Sequence, residues 1–344
     1  MKKCAPILIP TLCRDIHFIR LIESLKLNTW AKYTDVFIGL DYPPSEKYME
    51  GYRRICEYLE GDFCQFKSFN VIRRHKNYGS RENMVDLRSL VFKTYDRFIR
   101  TDDDAEFSPN FLEYMNKCLN RYENDPNIIA VSGYSYPIKW GVSEDATVLK
   151  ENFVCPMWGT GFWRDKYLKL SGFIEEGCLG NNVDQIINEN LYKFMSDRSK
   201  LEYVNLCLGS DFEGSLACRV TDISVRMYTA LYNKYVIIPV LSKVRNWGFD
   251  GTGEYCGKTI LRKSSKETTS NYDYSTQEID KSYSFEMVED SNCNNKYNLK
   301  LMNQFDPVTN INKIRIALKI SLYRIFGRER MSMLITKFRK TIRH

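Results

Sequence analysis

The chain has 344 residues, 43% hydrophobic and 14% aromatic, enough apolar material to bury one large core or two modest ones. No run approaches the roughly 18 consecutive apolar residues of a membrane-spanning helix, and the apolar stretch between Pro6 and Pro10 is too short for a signal-peptide core, so a globular protein kept in the cytosol is expected. Its eleven cysteines, an odd number without a C-x-x-C pair, argue against a disulfide framework and a thiolate zinc site. The formal charge of +7 is unevenly spread: residues 311–344 carry ten Lys or Arg against the single acid Glu329, a net +9 that leaves −2 for the rest. A nucleic-acid enzyme usually carries basic surface on its catalytic body, because phosphate neutralisation supplies most of the affinity. The nearly neutral body argues against that class.

In chain order, APILIPTL reads as a buried strand, and Phe18, Leu21, Ile22 and Leu25 recur at helical spacing behind it. DVFIGLD (Asp35 to Asp41) is a second strand ending in an acid, followed by a helix carrying Tyr52, Ile55, Cys56 and Leu59. FNVIRR (Phe69 to Arg74) is a third strand, RENMVDLRSLVFKTY a third helix, and DRFIRT a fourth strand. Strands alternating with helices predict a mostly parallel sheet covered on both faces, with ligands at the carboxyl ends of the strands. After the fourth strand, Ser108 is expected to cap a helix with Pro109 at its first position, and Phe111, Leu112, Met115, Cys118, Leu119 and Tyr122 share its apolar face. Beyond Cys256 the polar stretches RKSSKETTSNYDYSTQEIDKSY and EDSNCNNKYN suggest a loop or linker. The expected organisation is a body over 1–256 in two halves (1–106 and 107–256), then a linker (257–310) and a basic amphipathic helical tail (311–344).

The fourth strand ends at three adjacent acids, Asp102, Asp103 and Asp104. Adjacent anions repel, and a partly desolvated carboxylate without a partner is costly or driven to protonate. A cation is therefore expected beside them. Hard carboxylate oxygens suit Mg²⁺ or Mn²⁺, and diphosphate oxygens can complete such a shell. An acidic triplet also suits a solvated turn or a helix N-terminus, but its place at the ligand edge of the sheet favours the metal.

IRTDDDAEFSPNFLEYMNKCL resembles the E-D-D stretch of GT-A fold, nucleotide-sugar-dependent glycosyltransferases related to N-acetylglucosaminyltransferase I and to sugar transferases of bacterial polysaccharide loci. GYSYP…MWGTGFWRDKY (Gly133 to Tyr167) is similar to that family's Trp/Gly-rich segment beside the donor sugar. TDISVRMYTALYNKYVIIPVLSKVRNWGFDGTGEYC (Thr221 to Cys256) is similar to the segment from its Trp-Asp pair to its closing Gly-Phe-Asp-Gly motif. The resemblance spans roughly residues 5 to 256. It implies a Rossmann-like GT-A fold with a nucleotide-binding half (1–106) and an acceptor-binding half (107–256), and inverting, divalent-metal-dependent transfer from a UDP-sugar to a glycan or lipid-linked glycan. Asp104 would ligate the metal. Asp102, in place of the usual Glu, would face the nucleotide, with Asp103 between them. Asp41 would read the uracil ring, Thr11 and Arg14 would meet the nucleotide, and Asn77 and Gly79 would lie near the donor. Trp158 and Trp163 are candidates to stack on a sugar's apolar face, with Gly159 and Gly161 permitting close approach, and by the resemblance Asp222 would be the catalytic base. Thr221 replaces the family Trp, and Tyr255 stands where the closing motif has His.

The mechanism is coherent on physical grounds. A hydroxyl is a poor nucleophile, so a carboxylate must take its proton as the new bond forms, and a cation stabilises the departing diphosphate. Each residue also has a plainer role. Asp222 could cap the helix ISVRMYTALY, with Asp184 as the rival base. Trp158 and Trp163 could be core aromatics, NYGSREN a tight turn, and GFDGTG a glycine loop in which Asp250 orients phosphate or acceptor; His75 is expected at the surface. A nucleotidyltransferase would be expected to show a Gly-rich phosphate loop after the first strand, which PTLCRD is not; a non-catalytic carbohydrate- or membrane-binding module is a third class. The tail can lie on an anionic membrane through its face of Ile314, Leu318, Leu322, Ile325, Phe326, Leu334, Ile335, Phe338 and Ile342, or pack on the body.

Overall fold

The structure, a computed structural model, describes residues 4–208, 215–253, 272–290 and 295–342. The first half follows the alternation read from the sequence: β1 (Ile7–Thr11), α1 (Asp15–Lys26), β2 (Asp35–Leu40), α2 (Met49–Tyr58), β3 (Ser68–Arg73), α3 (Gly79–Val91) and β4 (Arg97–Arg100). The chain continues through β5 (Ala105–Phe107), α4 (Phe111–Arg121), β6 (Ile128–Ser132), β7 (Val148–Glu151) and β8 (Thr160–Trp163). Then come α5 (Arg164–Glu175), α6 (Cys178–Asn181), α7 (Val183–Asn188), α8 (Asp197–Leu206), α9 (Asp222–Tyr232), β9 (Tyr235–Pro239), β10 (Val244–Asn246), α10 (Asn295–Phe305) and α11 (Asn310–Ile342).

Eight strands form one sheet in the order β3-β2-β1-β4-β8-β6-β9-β7. The pairs from β3 to β4 are all parallel, as is β6 with β9, while β8 runs antiparallel to both its neighbours and β7 to β9. This is the Rossmann-like α/β sheet, helices on both faces, expected of a GT-A architecture. Successive side chains of a strand point to opposite faces, and the two layers of core follow from that. Ile7 and Ile9 of β1 join α1, α2 and α4 on one side. Leu8 joins Met84, Leu87 and Val91 of α3 on the other, together with apolar residues of α5 and α7–α9.

Four sequence expectations are corrected. The acids do not sit on a strand-to-helix turn: β5 follows them and pairs antiparallel with β10, Ala105 opposite Asn246 and Phe107 opposite Val244. That pairing continues through Ser108 N–H to the Lys243 carbonyl at 2.9 Å, so α4 starts at Phe111 after Asn110 instead of being capped by Ser108. The body does not end at Cys256, a residue outside the described ones like Tyr255. Within the expected linker, residues 272–290 form a strap along the body. Asp280 accepts from Lys243 and from Asn110 (2.9 Å), Gln277 donates to the Ser135 carbonyl, and the Phe285 carbonyl accepts from Lys117 (2.6 Å). Finally, the tail packs on α7 and α8 through a face the sequence pattern did not single out. Ile316, Ile320 and Tyr323 are buried, while Ile314, Leu318, Leu322, Ile325 and Phe326 are exposed. No helix among the described residues is long and apolar enough to cross a membrane.

Candidate active site

The turn between β4 and β5 carries Asp102, Asp103 and Asp104 at the carboxyl edge of the sheet, where β1 also ends. The counter-cation is internal. Arg14, three residues past β1, donates to Asp103 and lies 2.9 Å from Asp104 Oδ2 through Nη1. Thr11, the last residue of β1, donates to Asp103 Oδ2 at 3.0 Å. Arg100 Nη2 reaches Asp102 Oδ1 at 3.2 Å. Three carboxylates thus face two guanidiniums. Burial pushes the Asp104 carboxyl up to about 7, Arg14 opposing and Asp102 and Asp103 adding to the rise.

The segment after β10 closes over Asp104. Trp247 N–H donates to the Asp104 carbonyl (2.8 Å), and Asn246 Nδ2 to its Oδ1 (3.3 Å). A Cβ on Gly248 would fall 2.0 Å from Asp104 Oδ2, so only glycine fits there. The loop is fastened to α1 at two points: His17 Nε2 lies 2.9 Å from Asp250 Oδ2, and the Arg20 guanidinium stacks 4.0 Å over Trp247. Trp247 Nε1–H also donates to Glu106 (2.7 Å).

Asp41, just after β2, is buried and its carboxylate is engaged by the next turn. It accepts from Tyr42 N–H (2.9 Å), Tyr78 N–H (2.8 Å), Gly79 N–H (2.8 Å) and Asn77 Nδ2 (3.3 Å). Gly79 has φ +77°, a left-handed conformation that favours glycine. NYGSREN is therefore a turn folded around Asp41. The Cβ positions of Gly159 and Gly161 face Val244, Phe107 and Phe111, and Met115 and Leu119. Both glycines permit close packing of the core. Trp163 is core as well, donating from Nε1 to the Leu119 carbonyl (3.1 Å). Trp158 is half-buried in an aromatic cluster, 4.8 Å from Tyr134, 5.6 Å from Tyr274 and 5.9 Å from Phe249.

Asp222 opens α9, but it is not the cap. Thr221 caps the helix through a reciprocal pair with Ser224 (3.3 and 3.0 Å). The Asp222 side chain is 53% exposed and 3.8 Å from Arg226, which is itself held by Glu202 at 2.8 Å. Burial and then Asp222 push the Cys155 thiol up to about 12, with Arg226 and Arg100 opposing. Asp184 accepts from Tyr323 (2.7 Å) and serves to dock the tail. His75 is exposed, as expected.

The structure brings Thr11, Arg14, Asp103 and Asp104 into one cluster and groups Asp41, Asn77 and Gly79 in another. Sequence reasoning missed Arg100, His17, Asn246 and Trp247. Arg100 was legible, since residues i and i+2 of a strand share a face; the other three join the site only through the β5–β10 pairing. Among the described residues, no three His, Cys, Asp or Glu side chains converge as a metal cage.

No protein-family model and no curated protein matches the chain. Solved structures resemble parts of it. TarS of S. aureus aligns at 13% identity and TM-score 0.29 over 42% of this chain and 24% of that one. Its residues 1–349 in complex with UDP-GlcNAc align at 14% and 0.29 over 41% and 36%. The mannosyltransferase PcManGT from Pyrobaculum calidifontis, in complex with GDP-Man and Mn²⁺, aligns at 14% and 0.35 over 48% and 46%. The chain spans less than half the length of each. Likenesses of this extent leave its chemistry to be argued from its own residues.

Proposed function

We propose that this chain is a glycosyltransferase. It moves a sugar from a UDP-sugar to a hydroxyl of a glycan or lipid-linked glycan, with inversion, on the cytosolic side of a membrane. The observation that carries the reading is the cluster of Asp102–Asp104, Arg14 and Arg100 at the carboxyl ends of two adjacent parallel strands, where open α/β sheets bind ligands. A diphosphate brought there adds negative charge to a cluster in which carboxylates already outnumber guanidiniums, so a further cation is required.

The donor set suits Mn²⁺ or Mg²⁺: all its anionic atoms are carboxylate oxygens, and such ions are commonly held by one or two carboxylates plus substrate phosphates. Asp104 would hold the ion with Asp102 beside it, and bound there it offsets charge on the departing diphosphate. Arg14, already on Asp103 and Asp104, contributes fixed positive charge on the same side, and Thr11 orients Asp103. The turn around Asp41, with Asn77 and Gly79, forms the uracil side of the pocket. Trp158, beside Gly159, presents an aromatic surface to the donor sugar. Asp222, half-exposed, takes the proton from the acceptor hydroxyl, and Arg226 orients it.

The test is nucleoside diphosphate release from a panel of UDP- and GDP-sugars, with Mn²⁺ or with chelator, comparing the native chain with Asp104→Ala. Metal-dependent release from one UDP-sugar, lost in the variant, is expected. No release together with no metal-dependent UDP binding would overturn the reading.

A further inference from the structure

Before the break at Gly327, helix α11 has two apolar faces among the described residues, and only one of them is covered. At about 100° per residue, Ile316, Ile320 and Tyr323 share one side of the helix, and all three are buried against the body. Polar contacts lock that side: Tyr323 donates to Asp184 (2.7 Å), Arg324 to the Ile187 carbonyl (3.1 Å) and Lys319 to Asn205 (3.0 Å), and Lys313 pairs with Asp197 (3.1 Å). Nearly half a turn away lies a second row. Ile311 is 72% exposed, Ile314 61%, Leu318 57%, Leu322 40% and Ile325 70%. Five large apolar side chains in line on a fixed helix are not the scattered exposure normal for a soluble surface.

The charge around this row selects its occupant. No acid occurs between Asp306 and Glu329; of the four basic residues before Gly327, Lys313, Lys319 and Arg324 reach to the body while Arg315 does not, and six more Lys or Arg follow between 328 and 343 against the single acid Glu329, so the segment 311–344 sums to +9. A second copy of the chain would bring the same positive tail against this one, which like-charge repulsion opposes. An anionic lipid surface supplies both the apolar depth and the counter-charge.

We propose that the outward row of α11 lies in the interface of an anionic membrane. The inward row fixes the body to that helix, so the catalytic domain is held at a set orientation to the lipid. The inference is independent of the sugar-transfer reading, because it rests on α11 alone.

The test is co-sedimentation of the full-length protein with vesicles of phosphatidylcholine alone and of phosphatidylcholine with 30% phosphatidylglycerol. Each basic residue near an anionic surface contributes about 1 kcal/mol, so the anionic lipid should raise the bound fraction about tenfold or more, and salt should reduce it. The double variant Leu318→Glu/Leu322→Glu should lose binding while keeping its thermal midpoint and the native rate of nucleotide release. Absence of binding to either vesicle by the native chain would overturn the proposal. So would a dimer, seen by sedimentation velocity, that the same double variant dissociates, since the occupant would then be a second copy. Loss of folding in the variant is separated by Leu318→Gln/Leu322→Gln, which should weaken vesicle binding with less effect on the fold.

Discussion

The two acidic centres of this molecule are held by opposite means. Asp103 and Asp104 are buried, 7% and 8% exposed, and tied down by Arg14, Thr11, Asn246 and the Gly248 loop. Asp222 stands half-exposed at a helix start, with one guanidinium at 3.8 Å. A buried charge needs a built-in counter-ion, because desolvation costs more than partial solvation returns. A proton acceptor needs a free lone pair and room for its partner. The first centre is enclosed together with its counter-ions; the second has the open lone pairs that the proposed role of proton acceptor requires.

Two substitutions separate the centres most sharply. Asp104→Ala should lower metal-dependent nucleotide release by about 10³-fold, with or without acceptor, as expected for loss of a preorganised electrostatic group. Asp222→Asn should lower transfer to an acceptor by about 10²- to 10⁴-fold and leave slow donor hydrolysis near the native rate. Equal losses in both assays for both variants would remove the distinction between the centres.

The strap over 272–290 ties together Asn110, Lys117, Ser135 and Lys243, and its anchor is the Lys243–Asp280 pair, both side chains largely buried. Lys243→Met leaves Asp280 without its charge partner and should cost about 3 kcal/mol of unfolding free energy, measured by urea titration. Burial would raise the Asp280 carboxyl, but the bonds from Lys243, Asn110 and Ser282 outweigh it and hold the group down to about 2. A carboxyl depressed in the fold contributes fully above its ordinary value of 3.8 and loses that contribution as pH falls towards 2. The native strap should therefore loosen in that window, and Lys243→Met should flatten the dependence.

At the acidic turn, Gly248→Ala places a methyl 2.0 Å from Asp104 Oδ2. Overpacking of this kind costs about 1–3 kcal/mol, and the displaced carboxylate should weaken Mn²⁺ binding in the presence of UDP. Gly79→Ala probes the neighbouring turn through its φ of +77° and should cost about 1 kcal/mol.

How much of this was legible in the sequence differs along the chain for physical reasons. The parallel half was readable because each element there has a local period, and because Asp41 and Asp102–Asp104 mark strand ends by sharp change of polarity. The strap was not. Its anchors, Gln277, Asp280 and Phe285, are isolated residues whose partners lie far away at Ser135, Lys243 and Lys117, and no periodicity announces such contacts. The start of α4 was misplaced because Ser108 is engaged by Lys243, the residue before β10, 135 positions on. The tail was recognised as an apolar helix, but a helix with two apolar faces does not say which one meets the body. That depended on Asp184 and Asn205 being where Tyr323 and Lys319 could reach them.

The adjacent pair Thr221 and Asp222 carries the comparison down to neighbouring residues. Thr221 accepts from the orphan N–H of Ser224 through its hydroxyl and donates its own N–H to the Ser224 hydroxyl, a purely structural task. Asp222, one residue on, adds a helix-dipole interaction of about 0.3–1 kcal/mol to stability and a half-exposed ion pair with Arg226, which Glu202 holds independently. Thr221→Ala should therefore lower stability by about 1 kcal/mol while transfer at saturating donor stays near native. Asp222→Asn should shift the unfolding midpoint little while transfer collapses. Because the two side chains leave the chain one residue apart, a merely local disturbance of α9 would damage both properties in both variants. Only a division of labour between cap and base yields the crossed result.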